Sequence, residues 1–202
     1  MNLKDTYDKI SLNWQKDHAG DDWSVGGTSK FESLLKSNST ILDIGCGSGI
    51  SSKIFSDNGF DVLGIDFSGK MIEAANRFAV NARFKVLDIR DVDKIKENFD
   101  GIYARAVLLH FPKNEIPKII RLLYRKLNSG GYIYIAVKEI KEGQLDEQIV
   151  EENDYGFNYE RFFSYFTMSE LEKFMTGCGL SIVFELKTNV GHTSWIQIIG
   201  KK

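Results

Sequence analysis

Three glycines at alternate positions, Gly45, Gly47 and Gly49, separate the apolar pair Ile41-Leu42 from an amphipathic helical pattern that begins near Ile50. A backbone spaced this way turns tightly and admits a ligand where a side chain would push it away. A strand, a glycine turn and a helix in that order open a parallel α/β unit, and the chain then repeats the unit. Strand-like runs at 40–44, 61–65, 82–87, 99–104 and 131–137 alternate with helical patterns at 49–58, 68–80, 92–97 and 114–127. This alternation predicts a parallel sheet with helices on both faces. Gly59, Gly130 and Gly131 stand where helices should stop.

The last part has a different pattern. Thr167-Met168-Ser169-Glu170 is a capping box that opens a helix running to about Thr176. Runs at 180–186 and 194–199, joined by a turn containing Gly191, read as an antiparallel strand pair. Two stretches stand outside this core. Residues 1–38 carry helical signals with a glycine break at Val25-Gly26-Gly27, expected to hinge a lid whose apolar stripe is Leu3, Tyr7, Ile10 and Trp14. Residues 139–166 form an insertion rich in acids and aromatics. Open parallel sheets bind ligands beyond the carboxyl ends of their strands, and both stretches are expected to cover that edge.

Asp43, two residues before the first glycine, attracts a positive group, so a nucleotide-like ligand carrying an ammonium fits the loop. A dinucleotide fingerprint, Gly-x-Gly-x-x-Gly, would need its third glycine at Ile50, which disfavours a nicotinamide cofactor. Asp66 closes the second strand-like run at a distance that suits a ribose diol, its rival role being a helix cap that Ser68 fills equally well.

The order acid-x-Gly-x-Gly-x-Gly resembles motif I of the class I methyltransferases that use S-adenosyl-L-methionine (SAM), and the resemblance extends over roughly residues 35–200. It implies a doubly wound, mostly parallel α/β sheet of seven strands in the order 3-2-1-4-5-7-6, the last antiparallel, in a single domain over 1–202. It implies SAM as cofactor, held by Asp43, Gly45, Cys46, Gly47 and Gly49. Asp66 would take the ribose, with Phe67 and Met71 beside the adenine. Asp88 would meet the adenine amino group and Ile89 pack on the ring, while Ala104 and Arg105 would lie by the methionine part. His110 falls near the acceptor pocket as a candidate base, with an anchoring role for the next helix as its rival; Tyr165 and Glu139 follow as candidates.

Missing patterns narrow the chemistry. No Asn/Asp-Pro-Pro-aromatic motif follows the fourth strand, and neither Cys46 nor Cys178 is placed as a nucleophile. No acidic cluster suggests a metal, and His18 and His192 lie outside the motifs. A net charge of -2 supplies no global footprint for nucleic acid, and the cations Lys113, Lys118, Arg121, Arg125 and Lys126 read as a solvated helix face. The apolar run 132–137 is too short to span a bilayer, the first residues carry acids rather than a signal core, and the two cysteines fit a reducing compartment. The expectation is a cytoplasmic enzyme that methylates O, N or S of a small molecule. An RNA or protein acceptor, or a SAM-binding module without catalysis, are the alternatives. No signal bears on oligomeric state.

Overall fold

The computed structural model describes residues 3–18 and 20–202. Its main sheet is built from β1 (Thr40–Ile44), β2 (Asp61–Asp66), β3 (Arg83–Val86), β4 (Phe99–Arg105), β5 (Leu127–Lys138), β8 (Ser181–Val190) and β9 (Thr193–Lys201). The strand order is β3-β2-β1-β4-β5-β9-β8. The first five are parallel, β9 runs antiparallel to β5, and β8 runs antiparallel to β9. The expected order is therefore present, counted with two more strands in the chain. Those two, β6 (Glu147–Glu152) and β7 (Tyr159–Ser164), form a separate hairpin inside the insertion.

Strand alternation sends successive residues to opposite faces. On one face Leu42, Ile102, Ile133 and Ile198 pack with α5 (Ile116–Lys126) and α6 (Met168–Thr176). On the other, Ile41, Tyr103 and Tyr134 pack with Phe31 of α2 (Val25–Leu34) and Phe55 of α3 (Ile50–Asp57). The remaining helices, α1 (Leu3–His18) and α4 (Gly69–Phe78), lean on each other at the carboxyl edge of the sheet. The Thr167–Glu170 capping box is present in both directions.

Three local expectations are corrected. The helix expected at 92–97 is a 3-10 turn, Ile89–Lys94, because the Asp88 side chain caps it by accepting from the Arg90 N–H at 2.8 Å. Gly130 does not stop a helix: α5 ends at Lys126, β5 begins at once, and Gly130 takes φ +77° within that strand. The Gly26-Gly27 pair is not a break either. It lies in the first turn of α2, and a Cβ on Gly27 would stand 2.3 Å from Gln197 Oε1 and 2.8 Å from the Tyr134 ring. The glycines let this helix sit against the sheet.

Candidate active site

Four polar side chains arrive at the carboxyl edge, one from each of four neighbouring strands: Asp43 from β1, Asp66 from β2, Arg105 from β4 and Lys138 from β5. All four line one cavity of about 330 Å³. It lies where open α/β sheets take their ligands.

The glycine loop forms one wall. Gly45 and Gly47 take φ +62° and +53°, left-handed values that a Cβ disfavours. A Cβ on Gly45 would also stand 2.6 Å from Val107, whereas one on Gly47 would meet nothing within 4 Å. Gly47 thus presents bare backbone to open space. Its N–H donates to Asp66 Oδ2 at 3.0 Å, and the Ser68 N–H donates to Asp66 Oδ1 at 2.8 Å. Asp66 is only 7% exposed. Burial raises its pKa to about 6 against the pull of those two donors. An ionised carboxylate accepts about four hydrogen bonds, so acceptor capacity remains. Asp43, 2% exposed, accepts from Ser52 Oγ at 2.6 Å. Its pKa is raised to about 7 by burial, with the Ser52 bond and Arg105 acting in the opposite direction. Burial, with Asp43 and Asp66 beside it, pushes the Cys46 thiol well up, which keeps it protonated.

Arg105 lies with its guanidinium 4.7 Å from the Trp23 ring and 3.5 Å from Asp21. Its Nε and the Ser48 Oγ are buried without a hydrogen-bond partner. Both residues line the cavity. Buried polar atoms are nearly always paired in native proteins, so these two stand out as unpaired atoms of wall residues.

At the far side, His110 is held at both ring nitrogens. Nδ1 lies 2.9 Å from the Phe162 carbonyl and Nε2 lies 2.9 Å from the Tyr7 hydroxyl. A carbonyl only accepts, so Nδ1 carries the proton and Nε2 accepts from Tyr7. Burial lowers the pKa of His110 to about 3, which keeps the ring neutral. Tyr7 in turn accepts from Arg161 Nη1 at 3.2 Å. Arg161 is gripped by Glu152 through two bonds, one from Nε and one from Nη2 at 2.6 Å. This network ties α1 to the β6–β7 hairpin and to the segment after β4.

Of the residues expected from sequence, Asp43, Gly45, Cys46, Gly47, Asp66, Phe67, Met71, Arg105 and His110 line the cavity. Gly49 packs on Ala75 at the start of α3, and Ala104 and Ile89 are buried in the core behind. The Asp88 carboxylate is taken by Arg90. Tyr165 is a correction: it is packed in the core with its hydroxyl accepting from Gln148 at 3.0 Å, away from the cavity wall. Glu139 pairs with Lys187 and accepts from Ser194 at 2.7 Å. Sequence reading missed Ser48, Trp23, Lys138, Arg161 and Trp195 as wall residues. A lysine closing an otherwise apolar strand run was the available signal for Lys138. On α5, Arg125 pairs with Asp93 and Lys126 donates to the Ile95 carbonyl; just before the helix, Lys113 pairs with Asp146 and Glu170. Among the described residues no three His, Cys, Asp or Glu side chains are grouped to hold a metal, and no helix is long and apolar enough to cross a membrane.

A family model described as a methyltransferase domain matches residues 26–185. The chain is 31% identical over 96 residues to a probable S-adenosyl-L-methionine-dependent methyltransferase, TehB, of Haemophilus influenzae, over 46% of this chain and 33% of that protein. It is 28% identical over 100 residues to the ubiquinone biosynthesis O-methyltransferase of Coxiella burnetii, over 48% of this chain and 42% of that one. These matches span less than half the length of the curated relatives. The fold is shared with the 1,6-didemethyltoxoflavin-N1-methyltransferase of Burkholderia thailandensis, solved with 1,6-didemethyltoxoflavin and S-adenosylhomocysteine bound. That likeness has TM-score 0.79 and 17% identity, over 99% of this chain and 87% of that one. The magnesium protoporphyrin IX methyltransferase of Synechocystis, solved with bound SAM, gives TM-score 0.72 and 17% identity, over 99% and 95%.

Proposed function

Since the chain belongs to the class I SAM-dependent methyltransferases, we propose that it moves a methyl group from SAM to an O, N or S atom of a small-molecule acceptor. One observation carries this reading. A single cavity runs from the bare Gly47 backbone and Asp66, past the unpartnered Ser48 Oγ and Arg105 Nε, to His110 and Tyr7. Named acceptors of relatives with this fold, 1,6-didemethyltoxoflavin and magnesium protoporphyrin IX, favour a small molecule over a polymer.

In this reading Asp66 accepts from the ribose hydroxyls, and Phe67 and Met71 flank the adenine; Asp88, whose carboxylate Arg90 takes, and the buried Ile89 stand outside the cavity wall. The Gly45–Gly49 loop and Asp43 pack along the amino-acid part, with the buried Ala104 behind them, and Arg105 and Ser48 take its carboxylate. The cofactor supplies a methyl already activated on a sulfonium. The protein's task is then chiefly orientation, worth on the order of 7–11 kcal/mol when reacting atoms are aligned. His110, neutral and doubly bonded, fixes the Tyr7 hydroxyl on the acceptor side rather than serving as a strong base. The helix α1 acts as a lid, and the β6–β7 hairpin covers the acceptor.

Calorimetry with S-adenosylhomocysteine (SAH) and with NAD tests the cofactor; formation of SAH from SAM with a panel of hydroxyl, amine and thiol compounds tests transfer. Saturable NAD binding with no response to SAH would overturn the reading.

A further inference from the structure

Lys138 is a cation of the acceptor side with no ion pair of its own among the described residues; the opposing charge that acts on it, Glu152, is bonded to Arg161. Its Nζ lies 4.1 Å from the centre of the Phe163 ring and 5.9 Å from that of Trp195. No carboxylate of the described residues stands within ion-pair distance, and no hydrogen bond is made by Nζ. The neighbouring cations are satisfied: Arg161 by Glu152, and Arg105 in part by Asp21. The acid next in sequence, Glu139, is unavailable, because strand alternation turns it to the other face, where Lys187 and Ser194 hold it. Burial, with Arg161 adding to it and Glu152 opposing it, lowers the Lys138 pKa to about 8. A half-buried cation without an ion pair is partly desolvated, and a ligand anion would relieve that cost. Around it the wall is aromatic. Trp195 stacks on Trp23 with centroids 3.8 Å apart and planes 13° apart, and Phe163 and Trp195 both face the cavity.

We propose that the acceptor is a small flat aromatic anion, a carboxylate on a ring, and that Lys138 binds its carboxylate while Phe163 and Trp195 flank the ring; this rests on the methyltransferase reading above. Cation, ring faces and the Tyr7–His110 pair then hold the acceptor by three sides. The cofactor's own carboxylate is a different anion, met by Arg105 and Ser48 on the glycine-loop side.

The test uses the full chain saturated with SAH and ligand-observed NMR. The probes are matched pairs: benzoate and benzamide, phenylacetate and phenylacetamide, indole-carboxylate and indole-carboxamide. The acid of at least one pair should bind about tenfold tighter than its amide, the effect of one charge-assisted hydrogen bond. Lys138→Met should abolish that preference and leave SAH affinity unchanged, while Lys138→Arg should retain it. The proposal is overturned if acids and amides bind alike, if no pair binds to the SAH-loaded protein, or if the preference survives Lys138→Met. An equal loss of SAH affinity in Lys138→Met would assign the lysine to the cofactor instead. If SAH itself fails to bind, the methyltransferase reading falls, and this inference with it.

Discussion

The Tyr7 hydroxyl donates to Nε2 of His110 at 2.9 Å, joining two residues 103 positions apart in the chain. The bond consumes the ring's free lone pair and ties the N-terminal helix to the acceptor side of the cavity.

His110→Ala should therefore lower methyl transfer per folded molecule by about 10²-fold, the scale of a misplaced reacting group. SAH affinity should stay near wild type, since no cofactor contact is removed. Single-turnover rates beside calorimetry separate the two quantities. An equal fall in both would place His110 at the cofactor.

The same burial makes stability depend on pH. The pKa of His110 is about 3 in the folded chain, against an ordinary value of 6.5. Between those values the unfolded chain binds more protons, so this contribution is complete above 6.5 and is lost as pH falls toward 3. In melts from pH 7 to pH 4, wild type should lose stability relative to His110→Asn. A constant gap between the two across that range would show that the ring titrates normally.

Asp66→Ala should weaken SAH binding by about 1.5–3 kcal/mol, the cost of lost charge-assisted hydrogen bonds. Wild-type affinity should also fall as pH drops through about 6, where the raised Asp66 carboxyl takes up its proton. Calorimetry at pH 7.5 and pH 5.5 reads both effects. The variant should keep less of that pH dependence; identical slopes would count against a ribose role.

Gly27→Ala should destabilise the fold by about 1–3 kcal/mol, because its Cβ has no room between Gln197 and Tyr134. For a chain of this size each kcal/mol lowers Tm by about 2–4 °C. Gln197 also donates to the Trp23 carbonyl at 3.0 Å, so that bond should loosen with it. An unchanged melting point would leave the glycine without a packing role.

If α1 is a lid, its hinge lies on the N-terminal side of Trp23, since the Trp23 carbonyl is pinned by Gln197 and Thr188. Helix α1 docks on the start of α4 through Asp8, which accepts from Ser68 Oγ at 2.6 Å. Trypsin should cut at Lys4, Lys9 and Lys16 faster in the free protein than with SAH bound, because ligand favours the closed state. Equal rates would argue for a permanently docked helix.

What was legible in the sequence was local. The glycine loop and Asp66 belong to one β-α-β unit, so their spacing along the chain reflects their spacing in space. The Thr167–Glu170 box is contained in one turn. Lys138 and Trp195 were not legible together, because they become neighbours only through the pairing of β5 with β9. Tyr7 read as a stripe on a helix, and nothing local says that the stripe ends on His110. Gly26-Gly27 was misread because glycine for flexibility and glycine for close packing look the same until the partner, here Gln197 and Tyr134, is known. The β6–β7 hairpin escaped because Glu147, Glu151 and Glu152 dilute its alternation of apolar and polar residues.

The chain has three tryptophans, Trp14, Trp23 and Trp195, and all three stand in the wall of the one cavity described above. Its intrinsic fluorescence is accordingly a local signal rather than a global one. Emission intensity and the optical activity of the stacked Trp23–Trp195 pair should respond to whatever enters, which gives a label-free titration for cofactor and acceptor without modifying a single residue.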